Sequence, residues 1–92
     1  MTNIIHDTDN HRFTTTIDGL TAFISYVDTG ETLIFDHTIV PNALGGRGIG
    51  TALVKHALAY AQVQGKKIVP ACSFVAHYVQ KHPEYQSLLH LA

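Results

Sequence analysis

Tryptophan, basic stretches and any possible cysteine pair are missing from this sequence of 92 residues. The net charge is -1 with neutral histidines, so nucleic-acid binding driven by phosphate contacts is not expected. No apolar run is as long as a membrane span, and the N-terminus lacks the pattern of a signal peptide. A single cysteine, Cys72, excludes an internal disulfide. We therefore expect a cytoplasmic protein that binds neither nucleic acid nor membrane.

The length predicts a single domain over residues 1–92. A domain of this size has a small core, so we expect either a monomer or a weak homodimer. The hydrophobic share of 46% is typical of a folded globular protein. Residues 1–10 are expected to form a flexible or peripheral N-terminal segment.

Three alternating stretches predict an antiparallel meander of strands, at residues 12–18, 20–27 and 32–40. The dipeptide Asp18-Gly19 is a strong signal for a tight turn between the first two. In the third stretch, four side chains are expected to share one face: Leu33, Phe35, His37 and Ile39. Pro41 ends this strand because proline has no N–H for the ladder.

A helix pattern follows the meander, with apolar residues at helical spacing: Ile49, Leu53, Val54, Ala57, Leu58 and Ala61. Gln64-Gly65 is expected to end this helix. Further elements are a strand over residues 67–71, a helix over 73–81 with Ser73 as N-cap, and a short helix over 83–91. The order β-β-β-α-β-α predicts an α+β (mixed α/β) fold in which the third and fourth strands are parallel.

Four glycines lie between the third strand and the first helix: Gly45, Gly46, Gly48 and Gly50. A glycine-rich turn that opens a helix is a backbone binding site for an anionic group such as a phosphate. The P-loop needs a lysine after its second glycine, but Thr51 stands there. The dinucleotide fingerprint needs G-x-G-x-x-G, whereas the spacing here is G-x-G-x-G. Both of these phosphate sites are therefore disfavoured.

The segment resembles motif A of the Gcn5-related N-acetyltransferases, Q/R-x-x-G-x-G/A between a strand and a helix. Gly48-Ile49-Gly50 matches its second half. The resemblance extends to His37–Pro41, to Pro70–Val75 with its cysteine, and to Tyr78–Tyr85 with its histidine-proline pair. These segments are similar to the small, YjdJ-type branch of that superfamily, and the similarity covers roughly residues 12 to 91.

The resemblance implies a minimal fold of this superfamily, in which the meander leads into a β-α-β-α unit with a splayed parallel strand pair. It also implies N-acetyltransferase activity, with acetyl-CoA as ligand and an unidentified amine, small molecule or protein, as acceptor. The pyrophosphate is expected on the loop: Leu44, Gly45, Gly46, Arg47, Gly48, Ile49, Gly50 and Thr51. The pantetheine arm is expected along Thr38, Ile39 and Val40. The Gln or Arg of the motif falls on Gly45, and we expect Arg47 to compensate at the phosphates.

Three residues are candidates for the chemistry. Cys72 is a candidate nucleophile or ligand contact beside the splay, because a cysteine at a helix N-terminus can have a lowered pKa. The alternative is a small buried hydrophobic residue. His37 is a candidate base, or a histidine hydrogen-bonded within the sheet. Tyr78 is a candidate acid by analogy with the wider superfamily, or simply a residue of an amphipathic helix.

Direct transfer and transfer through acyl-Cys72 both fit these residues. The seven histidines include no metal-binding pair, so no metal is expected. The alternative function is a CoA-binding module without catalysis. A third reading is another nucleotide ligand, such as ATP or NAD.

Overall fold

The computed structural model describes residues 3–90, which form one mixed sheet with helices packed against it. This confirms the mixed α/β class. The strands and helices are β1 (Ile5–Asp7), β2 (Arg12–Ile17), β3 (Leu20–Asp28), β4 (Thr32–Ile39), α1 (Ile49–Gln64), β5 (Lys67–Pro70) and α2 (Ser73–Lys81). Short 3-10 helices span Asn42–Leu44 and Pro83–Leu88. No helix within residues 3–90 is long and apolar enough to cross a membrane.

The strands lie in chain order, β1-β2-β3-β4-β5. The first three pairs are antiparallel, whereas β4 and β5 are parallel and are joined by α1, as the sequence predicts. The edge strand β1 was not identified from the sequence. His6 in this strand hydrogen-bonds the hydroxyl of Tyr26 at 2.6 Å and stacks on Phe13 with ring centroids 4.2 Å apart. Contacts distant in sequence therefore hold a strand that is only three residues long.

Helix α1 supplies one wall of the core. The residues predicted to form its apolar stripe are all buried: Ile49, Leu53, Val54, Ala57, Leu58 and Ala61. They pack against the sheet side chains Phe13, Ile24 and Phe35, which are fully buried. Gly65 ends the helix in the left-handed conformation, with φ 68°, and its N–H donates to the carbonyls of Ala61 and Gln62. The end of α1 therefore depends on glycine.

Strand β4 contains a bulge that the alternation of its side chains did not reveal. Phe35 lies opposite Tyr26 and His37 lies opposite Ser25, so Asp36 is an extra residue. The extra residue moves His37 and Ile39 to the face opposite Phe35, where both are exposed. The prediction that His37 and Ile39 share a face with Leu33 and Phe35 was therefore wrong.

Helix α2 begins at Ser73, whereas a cap at Ser73 would place the first helical residue at Phe74. Ser73 is the first helical residue and Cys72 occupies the N-cap position, so the assignment of Ser73 as N-cap was wrong. The final predicted helix is also different. It is a 3-10 helix that ends at Leu88, after which Leu89 forms a parallel bridge with Ile68 of β5. Leu91, the predicted end of that helix, lies outside the described residues.

Candidate active site

The glycine loop connects β4 to α1 through backbone conformations that favour glycine. Gly46 has φ 78° and Gly48 has φ 72°, in the left-handed region. Gly48 is the N-cap of α1, and its carbonyl accepts the N–H of Ala52 at 3.0 Å. The chain can therefore turn sharply into the helix without a side chain standing over the helix end.

The backbone N–H groups at this helix start are available to a ligand. Within residues 3–90, those of residues 46–48 donate to no backbone carbonyl, and those of residues 49–51 precede the first hydrogen bond of the helix. Gly48 offers no capping side chain, and the first turn of α1 contains no acidic residue. Within residues 3–90, no side chain of the first turn or the N-cap compensates the positive end of the helix dipole, which favours an anion.

Gly45 and Arg47 show how this loop departs from motif A. A Cβ added at Gly45 would lie 3.2 Å from the carbonyl oxygen of Asn42, which is a tight contact. The loop conformation therefore disfavours a side chain at the motif's Gln or Arg position. Arg47 is 3.7 Å from the carboxylate of Asp18 in the β2–β3 turn, and both side chains are largely exposed.

A cavity of about 270 Å³ lies over these N–H groups. We call it the glycine-loop cavity, and it is lined by Val40, Leu44, Gly45, Gly46, Gly48, Ile49, Gly50, Thr51 and Phe74. Most of the predicted cofactor-binding residues are thus brought together. Phe74, on α2, was missed by the sequence analysis. Its ring covers Gly50, where an added Cβ would lie 2.8 Å from Cζ, and a glycine inside the first turn of an apolar helix was the available signal.

Cys72 and Thr38 meet where β4 and β5 separate. The parallel ladder ends at the pair Phe35–Pro70, and β4 continues beyond it. The N–H of Cys72 donates to the carbonyl of Phe35 at 2.9 Å. The Sγ atom of Cys72 is 3.5 Å from the hydroxyl oxygen of Thr38. Two predicted site residues from distant parts of the chain are therefore in contact.

The surroundings of Cys72 favour its thiolate. Burial on its own raises the pKa of Cys72. The Thr38 hydroxyl and the N–H groups of Val75, Phe74 and Thr38 outweigh burial, so the pKa of Cys72 lies below its usual value. Phe74 and Val75 belong to the first turn of α2, and Cys72 lies at the N-cap of that helix. Their N–H groups lower the pKa of Cys72 by proximity, without a capping hydrogen bond to Sγ. The Cys72 thiol is therefore half-buried beside Thr38, and its contacts lower its pKa.

Tyr78 lies on α2, six residues after Cys72. Its ring stacks on His82 with centroids 4.0 Å apart and also contacts Tyr85. Burial, followed by the proximity of Tyr85, raises the pKa of Tyr78 and keeps the phenol protonated. No hydrogen bond within residues 3–90 joins Tyr78 to Cys72.

His37 lies on the outer face of the sheet, opposite the core. It pairs with Ser25 across the strands, and its side chain is exposed. The neighbouring carboxylate of Asp36 accepts a hydrogen bond of 2.6 Å from the Ser25 hydroxyl. In the part of the chain that the structure describes, no hydrogen bond links His37 to Cys72.

A second cavity of about 590 Å³ adjoins the first and shares Thr51 and Phe74 with it. We call it the α2 cavity, and its lining is Thr51, Ser73, Phe74, His77, Tyr78, Lys81 and His82. Of these residues, only Thr51 and Tyr78 were predicted from the sequence to belong to the site. Helical spacing places residues 74, 77, 78 and 81 on one face of α2, and that pattern could have identified the others.

The chain is similar to known proteins in sequence and in fold. Protein NATD1 of Gallus gallus is 34% identical over 89 residues, which are 94% of this chain and 81% of the relative. NATD1 of Homo sapiens is 33% identical over 86 residues, 90% of this chain and 76% of the relative. A GCN5-like protein from Staphylococcus aureus, solved by NMR, has a TM-score of 0.76 at 29% identity, over 98% of this chain and 89% of its own. The sequence model of the GCN5-related N-acetyl-transferases matches residues 12–88. The chain therefore belongs to the GCN5-related N-acetyltransferase family.

Proposed function

We propose that this protein transfers the acetyl group of acetyl-CoA to an amine. The observation that carries the proposal is the set of N–H groups at residues 46–51 that have no backbone partner within residues 3–90 and that follow the strand whose Thr38 contacts Cys72. The pyrophosphate would be held by these N–H groups, with Arg47 as an additional cation. The arm that ends in the thioester would follow Thr38 to Val40 toward Cys72. The family membership supports the same ligand.

In this proposal, acetyl-CoA supplies the acetyl group as a thioester. The Cys72 thiolate attacks the thioester carbonyl, a new C–S bond forms to Cys72, and the C–S bond to the CoA sulfur breaks with CoA leaving as thiolate. The neutral amine then attacks acyl-Cys72, the amide C–N bond forms as the C–S bond to Cys72 breaks, and the Cys72 thiolate is regenerated. The amine's proton passes to solvent and the released CoA thiolate takes up a proton from solvent, so the products are the amide and CoA thiol. The N–H groups of Phe74 and Val75 stabilise the thiolate at both ends of this cycle.

A second candidate is a CoA-binding module without catalysis. One observation favours it. Within residues 3–90, neither Tyr78 nor His37 hydrogen-bonds Cys72, so no acid or base is assembled around the thiol. Such a module would still use the same glycine loop.

Intact-mass analysis with acetyl-CoA tests the proposal. We expect wild-type protein to gain one acetyl group on Cys72, and Cys72→Ala to gain none while binding CoA equally well. Cys72→Ser is a matched control, because serine keeps the shape of the side chain but not the acidity of the thiol. An acetylated amine product formed by Cys72→Ala at the wild-type rate would show that transfer is direct. Binding of CoA without any acyl-enzyme or product, across a broad panel of amines, would favour the binding module.

Thermal unfolding with CoA, ATP and NAD tests the ligand itself. A ligand that binds the folded state raises the melting temperature by mass action, so we expect CoA to give the largest rise. A rise with ATP alone would overturn the assignment of CoA.

A further inference from the structure

A cluster of histidine and aromatic rings attaches the edge strand β1 to the rest of the fold. His6, the middle residue of β1, has its Nε2 atom 2.6 Å from the hydroxyl oxygen of Tyr26 on β3. Its ring stacks on Phe13 of β2 with centroids 4.2 Å apart. The ring of Tyr60 on α1 packs against it edge to face, with centroids 4.5 Å apart. One imidazole therefore contacts β2, β3 and α1 at the same time.

The other side chains of β1 attach it only weakly. The strand is three residues long, and within residues 3–90 it pairs with β2 alone. Ile5 is 61% exposed, and only Ile4, just before the strand, is also packed against the core. Asp7 lies 3.5 Å from Nε of Arg12 in a partly exposed ion pair, which contributes little to stability. The position of β1 therefore depends mainly on the ring of His6.

The turn after β1 has a backbone conformation that few residues other than glycine adopt. His11 has φ 52°, in the left-handed region. Its carbonyl accepts the N–H of Tyr26 at 2.9 Å, and its ring stacks on the Tyr26 ring with centroids 5.4 Å apart. Tyr26 thus contacts His11 after the turn and His6 before it. Loss of the His6 contact would leave this conformation with support on one side only.

The groups around His6 disfavour a positive charge on its ring. The titratable and charged groups that face or flank it are Asp7 of β1, His11 of the turn, Arg12 of β2, Tyr26 of β3, and His56 and Tyr60 of α1. His56 packs against Phe13, the ring on which His6 stacks, with centroids 5.4 Å apart. Burial, followed by the proximity of His56, lowers the pKa of His6, and Asp7 opposes this with a smaller effect. The Tyr26 hydroxyl can donate to the neutral ring or accept from the charged one, so it does not favour either form.

We propose that β1 is a pH-sensitive switch, in which protonation of His6 by solvent releases this strand from β2 while the rest of the fold stays intact. A charged imidazole is unfavourable among aromatic rings and beside other imidazoles, whereas the released strand places it in water. Release uncovers the edge of β2 from Arg12 to Thr14 and the ring of Phe13. The switch is independent of the proposed function, because β1 and β5 are opposite edges of the sheet and none of these residues lines either cavity.

Amide hydrogen exchange followed by NMR tests this inference on the full chain at pH 7 and pH 5. After correction for the intrinsic exchange rate, we expect the protection of residues 5–7 and 12–14 to fall by at least about threefold at pH 5. The nuclear Overhauser effect between the rings of His6 and Phe13 should weaken over the same range. The amides of α1 and β5 should keep their protection, since their side chains form the core away from β1.

Two variants identify the responsible group. His6→Phe keeps an aromatic ring against Phe13 but cannot take up a proton, so its protection of residues 12–14 should be the same at both pH values. His90→Gln is the matched control, because it removes an exposed histidine beside β5, at the opposite edge of the sheet. This control should respond to pH as the wild type does.

Three results would overturn the inference. Unchanged exchange and ring contacts in the wild type would show that the stacked rings hold the charged imidazole as firmly as the neutral one. A wild-type response in His6→Phe would assign the proton to another group. Loss of protection in α1 and β5 together with β1 would show that acid unfolds the whole domain rather than releasing one strand.

Discussion

Gly50 lies beneath the ring of Phe74, and replacing it with alanine tests whether this contact shapes the cofactor site. The added Cβ would be 2.8 Å from Cζ of Phe74, 3.3 Å from Cε2 and 3.4 Å from Cε1. Carbon atoms in favourable contact are about 3.5 Å apart or more, so the nearest ring atom must move by about 0.7 Å. The obstacle is the far end of a side chain that is 41% exposed, so the ring has room to move.

The effect on stability should be small. Alanine gains up to about 1 kcal/mol over glycine within a helix, and displacing a tightly packed ring costs about the same. We therefore expect the free energy of unfolding of Gly50→Ala to stay within about 1 kcal/mol of wild type. Thermal and urea denaturation would measure it.

Gly50→Ala should affect ligand binding more clearly than it affects the free energy of unfolding. Gly50 and Phe74 both line the glycine-loop cavity, so the new methyl group and the displaced ring both intrude on its 270 Å³. We expect CoA to bind Gly50→Ala about fivefold more weakly, which corresponds to about 1 kcal/mol. Calorimetric titration would detect a change of this size.

A double-mutant cycle provides the control. In a Phe74→Ala background there is no ring to displace, so the further change Gly50→Ala should cost little binding. An equal loss in both backgrounds would show that the methyl group acts on the ligand directly. Wild-type affinity in Gly50→Ala would refute the reasoning altogether.

Charge and titration at Cys72, Arg47 and His6 lead to three more expected outcomes. Burial raises the pKa of Cys72, but the contacts with Thr38 and with backbone N–H groups lower it by a larger amount. Thr38→Val removes one of these contacts, so it should raise this pKa and slow alkylation by iodoacetamide at neutral pH. An unchanged rate would contradict the assigned contact, and Thr16→Val, on exposed β2 surface, is the control. Asp18→Asn frees Arg47 and should tighten CoA binding by up to about threefold at low salt; no change, or weaker binding, would argue against a phosphate contact for Arg47. Burial, then the proximity of His56, lowers the pKa of His6 below 6.5, so the unfolded state takes up a proton first as the pH falls. The contribution of His6 to stability should therefore be fully present above pH 6.5 and be lost as the pH falls below it. His6→Gln should weaken this decline, which denaturant titrations at pH 5 and 7 would measure. An unaltered pH dependence would contradict the assignment.

Much of the fold could be predicted from the sequence because it follows from local patterns. The stripe of α1, its glycine end and the parallel pairing of β4 with β5 all depend on residue spacing over one or two elements. The short strand β1 has no comparable pattern, and contacts of His6 with Phe13 and Tyr26 hold it in place.

The candidate site could be predicted only in part from the sequence, because some of its features depend on contacts between distant residues. The glycine loop is a local motif, whereas the orientation of His37 depends on a bulge that arises when β4 pairs with β3. Phe74 joins the site because α2 packs beside α1, and this packing is a tertiary contact without a local signature. The contact between Thr38 and Cys72 likewise bridges separate elements.

The bulge at Asp36 also constrains how the chain can change in length. Up to Phe35 the odd-numbered residues of β4 face the core, but beyond the bulge Thr38 takes that side, opposite Ile24. Removing Asp36 would leave His37 opposite Ser25 and Thr38 opposite Ile24 in a regular ladder. An added residue between Phe35 and Thr38 would instead move Thr38 from its place opposite Ile24 and separate its hydroxyl from the thiol of Cys72. We therefore expect insertions and deletions to be accepted in the hairpin turns, and insertions between Phe35 and Thr38 to be excluded from any functional variant.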